Sequence, residues 1–244
     1  MNIIITGATG FVGAEVVKQA IASWKIRHIF ILSRNPIPDD IDSNDKVTVI
    51  MHCHFSTYPI PLLAKLVGAQ ACIWTIGGYA AQFSDTATAR TVTMNYTFNA
   101  AKAFFEALAP QPPFDPVNPQ PPPQAFRFVY LSCALAVWDE QSQPVAYTRR
   151  TSRFKGEAER RLCDIQEAYP DRFEVRIARP VRITKTIGNR LRYKALRLVG
   201  ILPVEHLARS LVRLATDPFS VQFFEAGVLS NIGKHEDQMN FQQH

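Results

Sequence analysis

The chain has 244 residues, with 27 Lys and Arg against 21 Asp and Glu, a formal net charge of +6. Hydrophobic residues make up 47% and charged residues 20%, which excludes wholesale disorder and leaves enough apolar material for one substantial core without disulfides or metals. No run approaches the roughly 18 apolar residues of a membrane helix, and no basic segment precedes the apolar run at Ile3, so a cytoplasmic protein without signal peptide or membrane span is expected.

Short apolar runs alternate with helical spacing from the start. Ile3-Ile4-Ile5 predicts a buried strand, Phe11 to Ile21 a helix, and His28 to Leu32 and Val47 to Met51 two further strands. Leu62 to Val67 reads as a short helix, Ala71 to Thr75 as a strand, and Arg90 to Leu108 as a long helix. Phe126 to Leu131 is a fifth strand, Arg153 to Tyr169 a helix, and Phe173 to Ala178 a sixth strand. Strands that are apolar on both faces and separated by helices imply a parallel sheet covered on each side, a doubly wound α/β fold. The remainder predicts a small C-terminal helical cap at about 184–217, over the sheet edge, followed by a polar tail from His235. All 244 residues are read as a single domain.

Between Pro110 and Pro123 eight of fourteen residues are proline, with no apolar periodicity. Proline cannot donate to a ladder, so this segment is predicted to be a surface loop. The four cysteines, Cys53, Cys72, Cys133 and Cys163, form no Cys-x-x-Cys pair and read as reduced thiols. In His52-Cys53-His54 the central side chain alternates away from its neighbours on a strand, so no metal site is expected. From Arg149 to Arg197 there are 15 Lys and Arg against 6 Asp and Glu. That stretch has no aromatic platform, helix-turn-helix or zinc-finger signature, so a phosphate-bearing small ligand suits it better than nucleic acid.

The most informative segment is Thr6-Gly7-Ala8-Thr9-Gly10-Phe11-Val12-Gly13, which follows the first strand and opens the first helix. Gly7 permits a tight turn, Gly10 lets backbone approach a pyrophosphate, and Gly13 lets helix and strand pack closely. The helix N-terminus then aims free N–H groups at the phosphates. The segment predicts a dinucleotide site in which Gly7, Thr9, Gly10, Phe11, Val12 and Gly13 contact the ligand.

This Thr-Gly-x-x-Gly-x-x-Gly form resembles that of extended and atypical short-chain dehydrogenase/reductases. Further agreement comes from Thr75-Ile76-Gly77-Gly78 after the fourth strand, Asn95, Ser132, Lys155 and Ala178-Arg179-Pro180. The likeness is greatest to fungal epimerase-like members, many of them associated with secondary metabolism. It implies a Rossmann fold, a nicotinamide cofactor contacted also by Phe55, Gly77, Lys155 and Pro180, a small-molecule substrate, and no membrane or nucleic-acid partner. A homodimer is an open alternative. NAD-specific sites place an acid at the end of the second strand. Here Leu32-Ser33-Arg34-Asn35 has none, and Ser33 with Arg34 favours NADP(H) by holding a 2′-phosphate.

Redox members use a Ser and a Tyr-x-x-x-Lys pair, in which the lysine orients ribose and lowers the tyrosine pKa. Ser132 and Lys155 match the serine and lysine, but Thr151 stands where the tyrosine belongs. An aliphatic hydroxyl is too weak an acid to replace a phenol. Tyr147 is the first candidate substitute, with Tyr79 and Tyr96 behind it. Two readings follow: an NADPH-dependent reductase of a small organic substrate with an unconventional acid, or an NADP(H)-binding protein that is redox-neutral or regulatory.

Overall fold

The structure, a computed structural model, describes residues 1–110, 124–139, 149–185 and 200–234. Seven strands form one sheet: β1 (Asn2–Thr6), β2 (His28–Ser33), β3 (Val47–Met51), β4 (Ala71–Trp74), β5 (Phe126–Leu131), β6 (Phe173–Arg179) and β9 (Phe223–Glu225). Their spatial order is β3-β2-β1-β4-β5-β6-β9, and every neighbouring pair is parallel. A two-stranded parallel ribbon joins β7 (Arg182–Thr184) to β8 (Ile201–Pro203).

The strand order reverses between β1 and β4, and in such sheets the crevice at the carboxyl ends of those two strands is where ligands bind. Helices cover both faces. On one side α1 (Phe11–Ala22) packs with α7 (Val204–Thr216) and α8 (Ala226–Ile232) over Ile3, Ile5, Ile29, Ile31 and Ile73. On the other, α3 (Ile60–Lys65), α5 (Tyr96–Leu108) and α6 (Arg149–Ala168) cover Ile4, Cys72, Trp74, Phe128 and Tyr130. The short α2 (Asp39–Asp42) and α4 (Thr86–Arg90) complete the helices, and a π-helical segment over Thr91–Asn95 links α4 to α5.

The elements predicted from residue spacing are all present among the described residues, with one relocation. The 184–217 region was predicted as a small cap over the sheet edge; of it, residues 186–199 lie outside the described residues. Its helix α7 packs instead against α1 on the face of the sheet, with Leu207, Leu211 and Leu214 fully buried. The apolar stripe was correctly legible; what it packs against was not. The proline-rich segment lies outside the described residues from 111 to 123, as does the tail from 235.

Two arginines break the apolar rule inside this sheet. Arg127 on β5 and Arg176 on β6 are 4% and 1% exposed. Both donate to Glu174, Arg127 Nε at 2.9 Å and Arg176 Nε at 2.6 Å. Arg127 Nη1 also donates to the Ala215 carbonyl, and Arg176 Nη1 to those of Leu214 and Asp217. These are carbonyls at the C-terminal end of α7, which have no intrahelical partner. Two buried cations therefore complete that helix end and dock it on the sheet. Among the described residues no helix is long and apolar enough to cross a membrane.

Arg176→Met should remove the cation, leaving Glu174 with Arg127 alone and two helix-end carbonyls unmatched. A loss of about 3 kcal/mol in urea unfolding is expected; a loss below about 0.5 kcal/mol would refute the docking role.

Candidate active site

The glycine loop is shaped by close approach. Gly7 adopts φ +72°, and a Cβ there would lie 2.5 Å from Thr75 Oγ1. A Cβ on Gly13 would lie 2.0 Å from the Gly7 carbonyl oxygen, so only glycine lets α1 start against the turn. Thr75 Oγ1 donates to the Thr6 carbonyl at 2.6 Å and ties the end of β4 to the end of β1. Gly10 is the N-cap of α1, and no side chain caps its first turn. The amides that open α1 are left for a ligand, an arrangement that fits a pyrophosphate.

Two cavities meet at Gly7 and Ile76, both of which line each of them. The larger, of about 400 Å³, is bordered by Gly7, Gly10, Phe11, Val12 and Gly13 at one end and by Gly77, Ser132, Lys155 and Pro180 along its length. The smaller, of about 60 Å³, is bordered by Thr9, Ser33, Arg34, Phe55, Val92 and Tyr96. Together they form a trough across the switch point of the sheet. Every cofactor-binding residue predicted from the sequence borders one of the two.

At the small end, Arg34 is exposed and Phe55 buried, edge-on to Trp74 and tilted to Tyr96. Val92 and Tyr96 reach this cavity from the π-helical segment and the first residue of α5, a departure from α-helical spacing of the kind found at functional sites. Ser33 differs from its predicted use. Its hydroxyl donates to the Asn35 carbonyl at 2.7 Å and accepts from the Asn35 amide at 3.2 Å. The proton of Ser33 is committed to a local turn, which leaves Arg34 as the charged donor on that wall.

At the large end, Ser132 is 2% exposed, and its Oγ has no hydrogen-bond partner among the described residues. A buried hydroxyl without a partner on a cavity wall is costly unless a ligand completes it. Lys155, half-buried on α6, donates from Nζ to the carbonyls of Leu131 at 3.2 Å and Ser132 at 3.0 Å. An ammonium has three donors, so one remains for a ligand. Burial pushes the Lys155 pKa below the usual lysine range, against the pull of Cys133 and Glu159. Cys133 shares the cavity wall, and burial raises its thiol pKa although Lys155 acts the other way. Gly156 brings α6 against the loop after β5: a Cβ there would lie 1.9 Å from the Val137 carbonyl oxygen.

Thr151, at the position of the missing tyrosine, is 6% exposed and borders the cavity. Its Oγ1 accepts from the Ala80 amide at 2.8 Å. Thr151 thus anchors the short 3-10 turn Ala80–Gln82 and, beside it, Tyr79, which borders the same cavity. Tyr147 lies outside the described residues. Spacing rules could not reveal the Thr151 contact, since its partners are 71 residues apart. Arg182, which borders the cavity after Pro180, also went unnoticed within the basic stretch. No cluster of three or more His, Cys, Asp or Glu with metal-binding geometry occurs among the described residues.

No family model matches the chain. Leucinostatins biosynthesis cluster protein T of Purpureocillium lilacinum is 46% identical over 77 residues, 32% of this chain and 28% of that protein, so the likeness spans under a third of either. Among solved structures, Gre2 from Candida albicans in complex with NADPH superposes with a TM-score of 0.65 at 14% identity, covering 92% of this chain and 77% of that one. The dTDP-glucose 4,6-dehydratase DesIV of Streptomyces venezuelae, solved with NAD, gives a TM-score of 0.62 at 15% identity over 88% of this chain and 72% of its own. Strand order, glycine turn and these superpositions agree: the chain has a doubly wound Rossmann fold.

Proposed function

We propose that this chain is an NADPH-dependent reductase of a small organic carbonyl compound. The observation that carries the reading is the unpartnered, buried Ser132 hydroxyl, which borders one cavity together with Lys155 and the glycine cradle. When bound, the cofactor would supply hydride to the carbonyl carbon. Ser132 Oγ–H donates to the carbonyl oxygen as negative charge grows there. The remaining proton donor of Lys155 would hold a ribose hydroxyl, and Arg34 would hold the 2′-phosphate. The Purpureocillium lilacinum relative, named for a biosynthesis cluster, supports a role in secondary metabolism.

The proton that completes the alcohol has to come from a group more acidic than Thr151. Tyr79, carried on the turn that Thr151 anchors, is the described phenol on the cavity wall, with Tyr147 its rival. A redox-neutral conversion is the second reading, and the threonine at position 151 is what favours it.

NADPH should bind at least about tenfold more tightly than NADH, a difference of about 1.4 kcal/mol, and Arg34→Ala should remove most of it. Equal calorimetric affinities for the two cofactors would sink this preference. Binding that uses the Lys155 proton should weaken as pH rises through its lowered pKa, and therefore at a pH below the ~10.4 of a free lysine. An affinity that stays flat up to that pH would remove Lys155 from the cofactor site.

Tyr79→Phe should lower NADPH oxidation at least about a hundredfold with cofactor affinity unchanged, the usual scale for losing a general acid. Thr151→Val, which leaves the Ala80 amide unmatched, should lower it less, and Thr151→Ser should restore it. If Tyr147→Phe is the variant that loses activity, the donor is Tyr147. If carbonyl compounds are converted without any fall in NADPH absorbance, the redox-neutral reading replaces this one.

A further inference from the structure

The walls of the trough carry a charge pattern that the proposed chemistry leaves unexplained. Among the described residues that border either cavity there is no aspartate and no glutamate. Three are cations: Arg34 in the smaller cavity, and Lys155 and Arg182 in the larger. Arg34 faces the proposed 2′-phosphate, and Lys155 is held by two carbonyls beside the ribose position. Arg182 has no such assignment. It is exposed, the first residue of β7, and has neither an ion pair nor a side-chain hydrogen bond among the described residues. Arginines nearby behave differently: Arg176 and Arg179 are both paired with carboxylates.

Its place in the fold narrows the ligand. The pyrophosphate cradle lies at the end of β1, whereas Arg182 follows the end of β6 by three residues. In the sheet order β1-β4-β5-β6 those strands are three spacings apart, roughly 14 Å at about 4.8 Å each. Ser132 directly follows β5, the strand adjoining β6, so Arg182 belongs to the half of the cavity in which the carbonyl is reduced. A single planar guanidinium matches the two oxygens of one carboxylate. Resting on the reductase reading, we propose that Arg182 binds the carboxylate of the substrate, which is therefore an oxo acid and not a neutral ketone or aldehyde.

The test uses the whole chain saturated with NADP⁺, titrated by calorimetry with phenylpyruvate and with levulinate, each compared with its methyl ester. At least one acid should bind about tenfold more tightly than its ester. In Arg182→Gln that ratio should fall below about twofold, with NADP⁺ affinity and melting temperature unchanged, and Arg182→Lys should recover part of it. Acids that bind no more tightly than their esters would overturn the proposal. So would an Arg182→Gln variant that loses NADP⁺ affinity and keeps the acid–ester ratio, since Arg182 would then serve the cofactor pyrophosphate. Failure of NADP⁺ itself to bind the unmodified chain would be a separate result, one that overturns the reductase reading beneath the proposal.

Discussion

The site depends on how closely α1 approaches the end of β1. The Gly7 carbonyl accepts from the Gly10 amide at 2.9 Å, and Gly13 passes so near that any Cβ would overlap that oxygen. This contact sets where the uncapped amides of α1 point, and the bond from Thr75 to the Thr6 carbonyl sets β4 beside them. The gap between β1 and β4 is also where the sheet reverses its strand order, so the crossing loops diverge there and leave room. Sterics at two glycines and one hydroxyl thus fix the cradle, and the chemistry is arranged along the trough leading away from it.

Much of the fold was legible because it is written in local patterns. Three consecutive isoleucines followed by the glycine turn require a buried strand and a tight connection, whatever else the chain does. Arg127 and Arg176 were less legible, since they lie in apolar runs and find their purpose in carbonyls of a helix some 40 to 90 residues away. The placement of α7 was hidden for the same reason: an amphipathic stripe states that a face is buried, not against which neighbour. In the site, glycine positions could be read from backbone constraints. The committed proton of Ser33 and the Thr151–Ala80 bond depend on side-chain orientation, which spacing does not encode.

Thr151 changes meaning once its partner is known. Read as a lost tyrosine, it suggests a decayed site. In the structure its hydroxyl is buried and matched, and the turn it holds brings Tyr79 to the cavity wall. The short threonine side chain borders the cavity beside Lys155, and its hydroxyl holds a loop that borders the same space. Decay alone predicts no such bond.

The cavity stays positive because the carboxylate that acts on Lys155 is paired behind its wall. Glu159 lies one helical turn after Lys155 and is 0% exposed. Its two oxygens accept from Arg179, with Nε at 3.0 Å, and Oε2 accepts also from Trp138 Nε1 at 2.8 Å. That bonding raises the Arg179 pKa further. With its lone pairs engaged by a guanidinium and an indole, Glu159 screens Lys155 only weakly, and Lys155 turns to the carbonyls of Leu131 and Ser132 instead. Were Glu159 unpaired, it would neutralise the ammonium and weaken the attraction of the cavity for anions. Arg179 therefore acts on the site from outside it: by holding Glu159, it leaves the charge of Lys155 available to the ligand.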